Sequence, residues 1–365
     1  MNILDIFIKQ KQTKDYLSHI EDNPSFSLNV YNSCKNINYL LTFLTFKETD
    51  ESIIYIARNV YFATKAYDAF CELAGYENVS FYAIDEIAAV EVLAYSWEFR
   101  LERINTIKNI ILKKKKIIVT HIQAVLRYNS NKEKFLKNSY FLKVKDTLNL
   151  KEFFKSLNKS GYKRTPITEE IGDFSVRGGI IDIFPFDSAN PIRLDLFDNE
   201  IENIRTFDKT TQISIEKIDK VEIFPLNDTL YEEEDIDKLI GELDDNFKED
   251  LLDLKEYKNI ERANKYLKYL EKSPQSIIDY LDSKIIVFDE YNLLKDNQKM
   301  SVENIDTFFE QKVFDLEYYY EIEYLLKNDR LIFLTEHLSS INNIKLSKII
   351  DFESYEVLSY QNNIK

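Results

Sequence analysis

The sequence predicts an α/β protein in which a parallel-sheet domain is split by an inserted small α+β module. Three observations predict it. Short apolar runs rich in β-branched residues, Ser52-Ile53-Ile54-Tyr55-Ile56, Ile117-Ile118-Val119-Thr120, Ile285-Ile286-Val287-Phe288 and Arg330-Leu331-Ile332-Phe333-Leu334-Thr335, are bounded by charge, as strands buried on both faces of a parallel sheet are. Between the first two runs, residues 61–73 and 98–112 repeat apolar side chains every three or four positions, the period of a helix packed on such a sheet. Finally, four of the six glycines and three of the six prolines fall within residues 161–191, so turns cluster in one central stretch.

Taken in order, residues 1–24 read as a helix ended at Asn23-Pro24, since proline pushes its predecessor out of the helical region. The lysine run 113–116 closes the helix at 98–112, where positive charge suits the macrodipole. Residues 150–160 form a helix that stops at Gly161. Asp173 to Arg177 and Ile180 to Phe184 read as two strands joined at Gly178-Gly179, glycine supplying the positive φ of a tight hairpin. Ile192 to Phe197 alternates as a third strand, and Asp198-Asn199 turns it into a fourth, Glu200 to Arg205. Tyr231-Glu232-Glu233-Glu234-Asp235 opens a further helix, 250–271 is a long amphipathic pattern and 308–327 is helical. The expected division is 1–124 and 216–345 for the two halves of the α/β domain, 125–215 for the module, and 346–365 as a linker into a next domain.

Composition narrows the function classes. A 365-residue chain at 44% hydrophobic and 30% charged has the material for real cores. The net charge of −15 opposes sequence-independent binding of a polyphosphate by the whole surface and favours protein partners. Cys34 and Cys71 make no disulfide framework and no four-cysteine zinc site, so the expected compartment is the reducing cytoplasm. No stretch approaches twenty uncharged apolar residues, and no membrane is expected.

Catalytic chemistry is sparse. His19, His121 and His337 are scattered and read as structural or solvent-facing. No Gly-x-Ser-x-Gly elbow occurs. Asp289-Glu290 ends an apolar strand like the metal-side acid pair of a phosphate-loop ATPase. Its partner would be a glycine-rich loop ending in Lys and Ser/Thr, whose small residues let backbone N–H groups converge on phosphate. The nearest segment, residues 28–36, keeps Lys35 but has no glycine and carries Val30 and Tyr31. Lys35, Asp289 and Glu290 are therefore expected to form a degenerate nucleotide site that cannot bind a triphosphate.

Residues 161–212 join Gly161-Tyr162, Gly172-Asp173-Phe174, the run from Arg177 to Pro185, the run from Ile192 to Asp198, Ile201, Phe207-Asp208 and Thr211-Gln212. This constellation resembles the UvrB-homology module of the bacterial transcription-repair coupling factors. Glu102-Arg103 with the strand at 117–120, and Ile278-Asp279-Tyr280-Leu281 leading into 285–290, resemble the split first domain of that family. The excinuclease protein UvrB shares the module but keeps an intact phosphate loop, so the missing loop favours the coupling factors. The resemblance implies a RecA-like-derived domain with a degenerate nucleotide site, interrupted by a module like the second domain of UvrB. It covers nearly the whole chain but only the amino-terminal third of a full coupling factor.

The implied role is a non-catalytic adaptor that recruits UvrA to stalled RNA polymerase in nucleotide excision repair. ATP and Mg²⁺ would belong to the absent translocase domains, which would also meet RNA polymerase and double-stranded DNA, and this chain would need no cofactor. By motif position the partner-binding candidates are Arg177, Lys163 or Arg164, and Phe184. Arginine suits an acidic surface, and aromatics with arginine dominate interface hot spots. The residues alone leave another reading open, in which Arg177 and Arg164 pair with Asp173, Asp182 or Glu169 and Phe184 is core, while Arg193 and Arg205, interleaved with Asp195 and Glu202, form cross-strand ion pairs. Two rival roles stand beside the adaptor: a divergent UvrB-like ATPase acting on damaged DNA, and an internal clamp masking the UvrA surface.

Overall fold

The computed structural model describes residues 3–84, 97–231, 233–242, 252, 266–309, 319–338, 341 and 344–354. Its strands, in chain order, begin with β1 (Phe26–Tyr31), β2 (Ser52–Ala57), β3 (Val79–Tyr82), β4 (Ile117–His121) and β5 (Tyr140–Lys143). Next come β6 (Lys163–Arg164), β7 (Asp173–Arg177), β8 (Ile180–Ile183), β9 (Ile192–Phe197), β10 (Glu200–Phe207), β11 (Ser214–Ile218) and β12 (Lys220–Ile223). The last three are β13 (Lys284–Asp289), β14 (Arg330–Thr335) and β15 (Lys348–Asp351).

Seven of them form one sheet in the order β15-β1-β14-β13-β2-β4-β3, with every neighbouring pair parallel. The runs legible in the sequence are its centre. Within each strand the pleat sends alternate residues to opposite faces. Ile53, Tyr55, Ile285 and Val287 join a core with the helices at 35–48 and 60–74, whereas Ile54, Ile56, Ile286 and Phe288 join one with the helix at 97–111. Both faces are covered, which is why these strands are apolar at every position rather than at alternate ones.

The sequence reading missed β1, β3 and β15. β1 carries Ser27 and Asn29, and Asn29 is nonetheless fully buried because its side-chain oxygen accepts from the Thr335 hydroxyl at 3.3 Å across the β1–β14 pair. The expected single helix over 1–24 is two, Ile3–Lys9 and Lys11–Asp22, broken where Gln10 is extended. Residues 322–327 are a 3-10 turn rather than the end of a long helix, the preceding helix being Tyr291–Phe309. Most of the amphipathic pattern at 250–271 lies outside the described residues, apart from Leu252 and 266–271, where Leu267–Leu270 is helical.

Between β4 and β13 the chain builds a second layer, a six-stranded sheet in the order β11-β10-β9-β8-β7-β6, antiparallel except for the short β6–β7 pair. The helix Leu150–Lys159 packs on one face through Phe153 and Leu157, against Phe174, Ile181, Ile183, Leu194, Ile201 and Ile204. The expected boundary at 215/216 falls inside β11; β12 pairs with β5, and this core runs on to Leu226.

The two glycines of the β7–β8 turn serve different ends. Gly178 takes the positive φ of 61°. Gly179 does not, but a Cβ there would lie 2.6 Å from the Leu196 carbonyl oxygen, so the turn packs directly on β9.

The chain enters and leaves this layer through a buried ion triad. Asp228 Oδ2 accepts from Arg103 Nε at 2.6 Å and from Arg127 Nη1 at 2.9 Å. Arg103 stands on the helix at 97–111, Arg127 on the outgoing connection and Asp228 on the returning one. Burial alone would raise the Asp228 carboxyl, but the two guanidiniums outweigh it and hold the group well below the usual carboxylate range. Ser130 and Leu230 tie the same two connections together: the Ser130 hydroxyl accepts from the Leu230 N–H at 2.8 Å and donates to its carbonyl at 3.2 Å.

Candidate functional site

Two places collect the residues singled out by sequence: the carboxyl ends of the parallel strands, and the face of the six-stranded sheet turned away from its helix.

At the first, β1, the turn at 32–34 and the helix Lys35–Glu48 form the strand–turn–helix in which a phosphate loop would sit, and Lys35 faces Asp289 at the end of β13. The site is filled by the chain itself. Lys35 Nζ donates to Asp289 Oδ1 at 2.5 Å. The Cys34 N–H, at the mouth of the helix, donates to the Ser354 hydroxyl at 2.9 Å, and Ser354 donates its own N–H to the Asn32 carbonyl at 2.8 Å. Asn32 Nδ2 reaches Asp351 Oδ1 at 2.9 Å. Two donors at this helix start, Lys35 Nζ and the Cys34 N–H, are thus engaged within the protein, and the turn lacks the small residues that would let more N–H groups converge.

Glu290 turns away from a metal-ligand role. Its Oε1 accepts the Glu336 N–H at 2.6 Å, and burial above all raises its carboxyl, against the smaller opposing pull of that hydrogen bond. Among the described residues no group of three or more His, Cys, Asp or Glu side chains is placed to hold a metal ion. His121 is buried and bonded to the Ile84 backbone and to Gln123.

On the outer face of the six-stranded sheet, pairing lines up Ser175, Asp182, Arg193, Arg205 and Lys217 across five strands. Asp182 is 0% exposed, although it lies on the side away from the apolar core. It is covered by arginines: Arg193 donates Nε to Oδ1 at 2.7 Å and Nη2 to Oδ2 at 2.9 Å, and Arg177 donates Nη2 to Oδ2 at 2.5 Å. Arg193 also lies 4.2 Å from the Phe207 ring centroid. Arg205 bonds Asp195 at 2.8 Å. Like charges directly opposite one another destabilise a sheet. The Arg193–Arg205–Lys217 row is held by Asp182 and Asp195, and the pairing also puts Asp173 opposite Lys163 and Glu200 opposite Phe197, so cations and carboxylates are interleaved on this face of a chain that is strongly negative overall.

The sequence candidates separate cleanly. Arg177 pairs with Asp182 and yet keeps 46% of its side chain exposed, so it is both an internal partner and an accessible cation. Lys163 and Arg164 form the edge strand β6, both are exposed, and neither makes a side-chain ion pair among the described residues. Phe184 does not join them. At 5% exposure, with its backbone tied to Asp173 and Gly172, it is closed to a partner, and the expectation that it supports one is corrected. Arg193 bonds Asp182 rather than the expected Asp195, whereas Arg205 does bond Asp195.

One exposed residue on this face went unnoticed in the sequence. Phe197 ends β9 at 68% exposure. The alternation of Ile192-Arg193-Leu194-Asp195-Leu196-Phe197, with the aliphatic residues inward, already turned it outward.

Comparison with known proteins converges on this layer. The family model described as UvrB interaction domain matches residues 141–228. A transcription-repair-coupling factor of Bacillus subtilis (strain 168) is 28% identical over 273 residues, which is 69% of this chain and 23% of that protein. One of Staphylococcus aureus (strain MRSA252) is 29% identical over 283 residues, 72% of this chain and 24% of that protein. The chain thus spans about a quarter of the length of these curated relatives. The six-stranded sheet, its helix and the β5–β12 pair lie almost wholly within the matched segment. Over residues 141–228 the chain is similar to the UvrB interaction domain, and over most of its length it is related to the transcription-repair coupling factors.

Proposed function

We propose that this chain is a non-catalytic adaptor of transcription-coupled nucleotide excision repair that recruits UvrA through the outer face of its inserted sheet. One observation carries the reading: the segment similar to the UvrB interaction domain is the layer that aligns the basic row Arg193–Arg205–Lys217, with Arg177 exposed beside it, on an otherwise acidic protein. Arg177 and Lys163 are its accessible cations, suited to an acidic partner through charge-assisted hydrogen bonds, whereas Arg164, in register with the core residue Phe174, lies on the other side of the sheet. RNA polymerase and double-stranded DNA would be met by other parts of a full coupling factor. Amide hydrogen exchange with and without UvrA tests the reading. Protection is expected at 163–164, 173–180 and 193–197, and protection confined to the carboxyl ends of β1 and β13, or none at all, would overturn it.

The parallel-sheet domain is, on this reading, RecA-like in origin, with its nucleotide site given up. The rival ATPase role draws on the facing of Lys35 and Asp289. Against it, Asp289 and the Ser354 hydroxyl engage two of the donors at this turn, Lys35 Nζ and the Cys34 N–H. Equilibrium dialysis with radiolabelled ATP and Mg²⁺ at millimolar concentration is expected to show no stoichiometric binding. One equivalent bound, and lost in Lys35→Ala, would establish the rival.

A further inference from the structure

We propose that the turn where a phosphate loop would sit has become the receptor for the chain's own segment 347–354, and that this segment is a latch that opens as a unit without unfolding the domain. The segment lies along β1 as β15, an outer strand of the described sheet, and then crosses the mouth of the helix Lys35–Glu48. Backbone bonds run its whole length. The Ser347 N–H donates to the Ser27 carbonyl at 2.8 Å, the Phe352 N–H to the Tyr31 carbonyl at 3.0 Å and the Ser354 N–H to the Asn32 carbonyl at 2.8 Å. Side chains fix both ends. Ser347 Oγ lies 2.9 Å from His19 Nε2, and Lys348 pairs with Asp15, both partners standing on the helix Lys11–Asp22. At the other end Phe352 is buried, its ring centroid 6.0 Å from that of Phe7. Glu353 takes a φ of 47°, in the left-handed region that a residue with a Cβ enters at a cost, and this kink carries Ser354 to the Cys34 N–H.

Little apolar area holds the segment in place. Ile350 and Phe352 are buried, but Ile349 between them is 52% exposed, whereas β2, with a strand on each side, is buried at every position. An outer strand anchored by two side chains opens at a lower free energy than the central strands, so it should separate in a local step. Opening bares the edge of β1 and the Cys34 N–H, a template for an extended segment. The occupant fitted to it is the chain's own, through Asp351 on Asn32, Lys348 on Asp15 and Ser354 on Cys34. The latch also closes the helix mouth, since an anion could reach the Cys34 N–H only after Ser354 leaves.

Amide hydrogen exchange of the 365-residue chain, followed by mass spectrometry on peptides covering 31–36, 284–289, 330–335 and 347–354, tests the latch. In the wild type, 347–354 is expected to exchange more slowly than an unstructured peptide but well before β13 and β14. Phe352→Ala should speed exchange of 347–354 by on the order of a hundredfold, as loss of a buried aromatic side chain does, with β13 and β14 unchanged. Exchange of 347–354 in step with β13 and β14, in the wild type or in Phe352→Ala, would make the segment an integral strand and overturn the proposal. Exchange at the unstructured rate in the wild type would overturn it too. Ser354→Ala, which removes one hydroxyl and leaves the core alone, keeps the test independent of how Phe352→Ala folds. It should speed exchange in 31–36 about fivefold, the worth of one hydrogen bond, and no change there would refute the receptor role of the turn.

Discussion

Asp228→Ala is expected to cost about 3–5 kcal/mol of stability, the range for breaking a buried ion pair. The variant takes the shared carboxylate from two buried guanidiniums at once. Arg103 and Arg127 are both buried, Arg103 Nη2 already lacks a partner, and its remaining bond runs from Nη1 to the Ala83 carbonyl at 2.8 Å. Neither arginine can reach water without opening the junction between the parallel sheet and the inserted layer. Urea unfolding followed by circular dichroism reads the loss as a lower midpoint. Replacing all three residues by aliphatic side chains of similar volume should recover most of it, because the penalty comes from charge left alone rather than from a lost contact.

The pH dependence has a definite sign. A carboxyl whose folded pKa is depressed contributes stability that is fully present above its unfolded value and is lost progressively as pH falls from there through the folded one. Asp228 is depressed well below the usual range of about 4, so the contribution of the triad should begin to fall below about pH 5 and be lost completely only at strongly acidic pH. Asp228→Asn should remove this contribution at neutral pH. Unfolding free energies of wild type and variant that fall in parallel from about pH 5 to strongly acidic pH would contradict the assignment.

Much of this architecture was legible, and the reasons differ by element. β2, β4, β13 and β14 announced themselves because covering a sheet on both faces forces unbroken apolar runs. The β7–β8 and β9–β10 hairpins were legible through their turns, Gly178-Gly179 and Asp198-Asn199. β1 and β15 were not, because their polar residues are satisfied by partners distant in sequence, as when Asn32 bonds Asp351. The same limit hid the triad: Asp228 lies 125 residues from Arg103 and 101 from Arg127, and no local period links them. At the candidate site, Arg177 stands partly exposed at a strand end, while Phe184 is buried. Phe184 follows Ile183 at the end of β8 and turns into the protein, whereas strand parity alone places Phe197 outside.

The second large effect concerns Arg177 itself. Asp182 grips one nitrogen of its guanidinium and leaves nearly half the side chain open, so the fork is oriented before any partner arrives. Preorganisation reduces the entropy lost on binding and raises the worth of each charge-assisted bond. Removal should not unfold the module, because Arg193 still satisfies Asp182 through two bonds of 2.7 and 2.9 Å. The loss should therefore fall on binding, at about 2 kcal/mol or roughly thirtyfold in affinity. Calorimetric titration of UvrA with the wild-type chain and with Arg177→Ala tests this most directly. A wild type that binds and a folded variant weakened about thirtyfold is the result predicted, whereas a folded wild type that gives no binding, or a variant indistinguishable from it, would contradict the adaptor role assigned to this face.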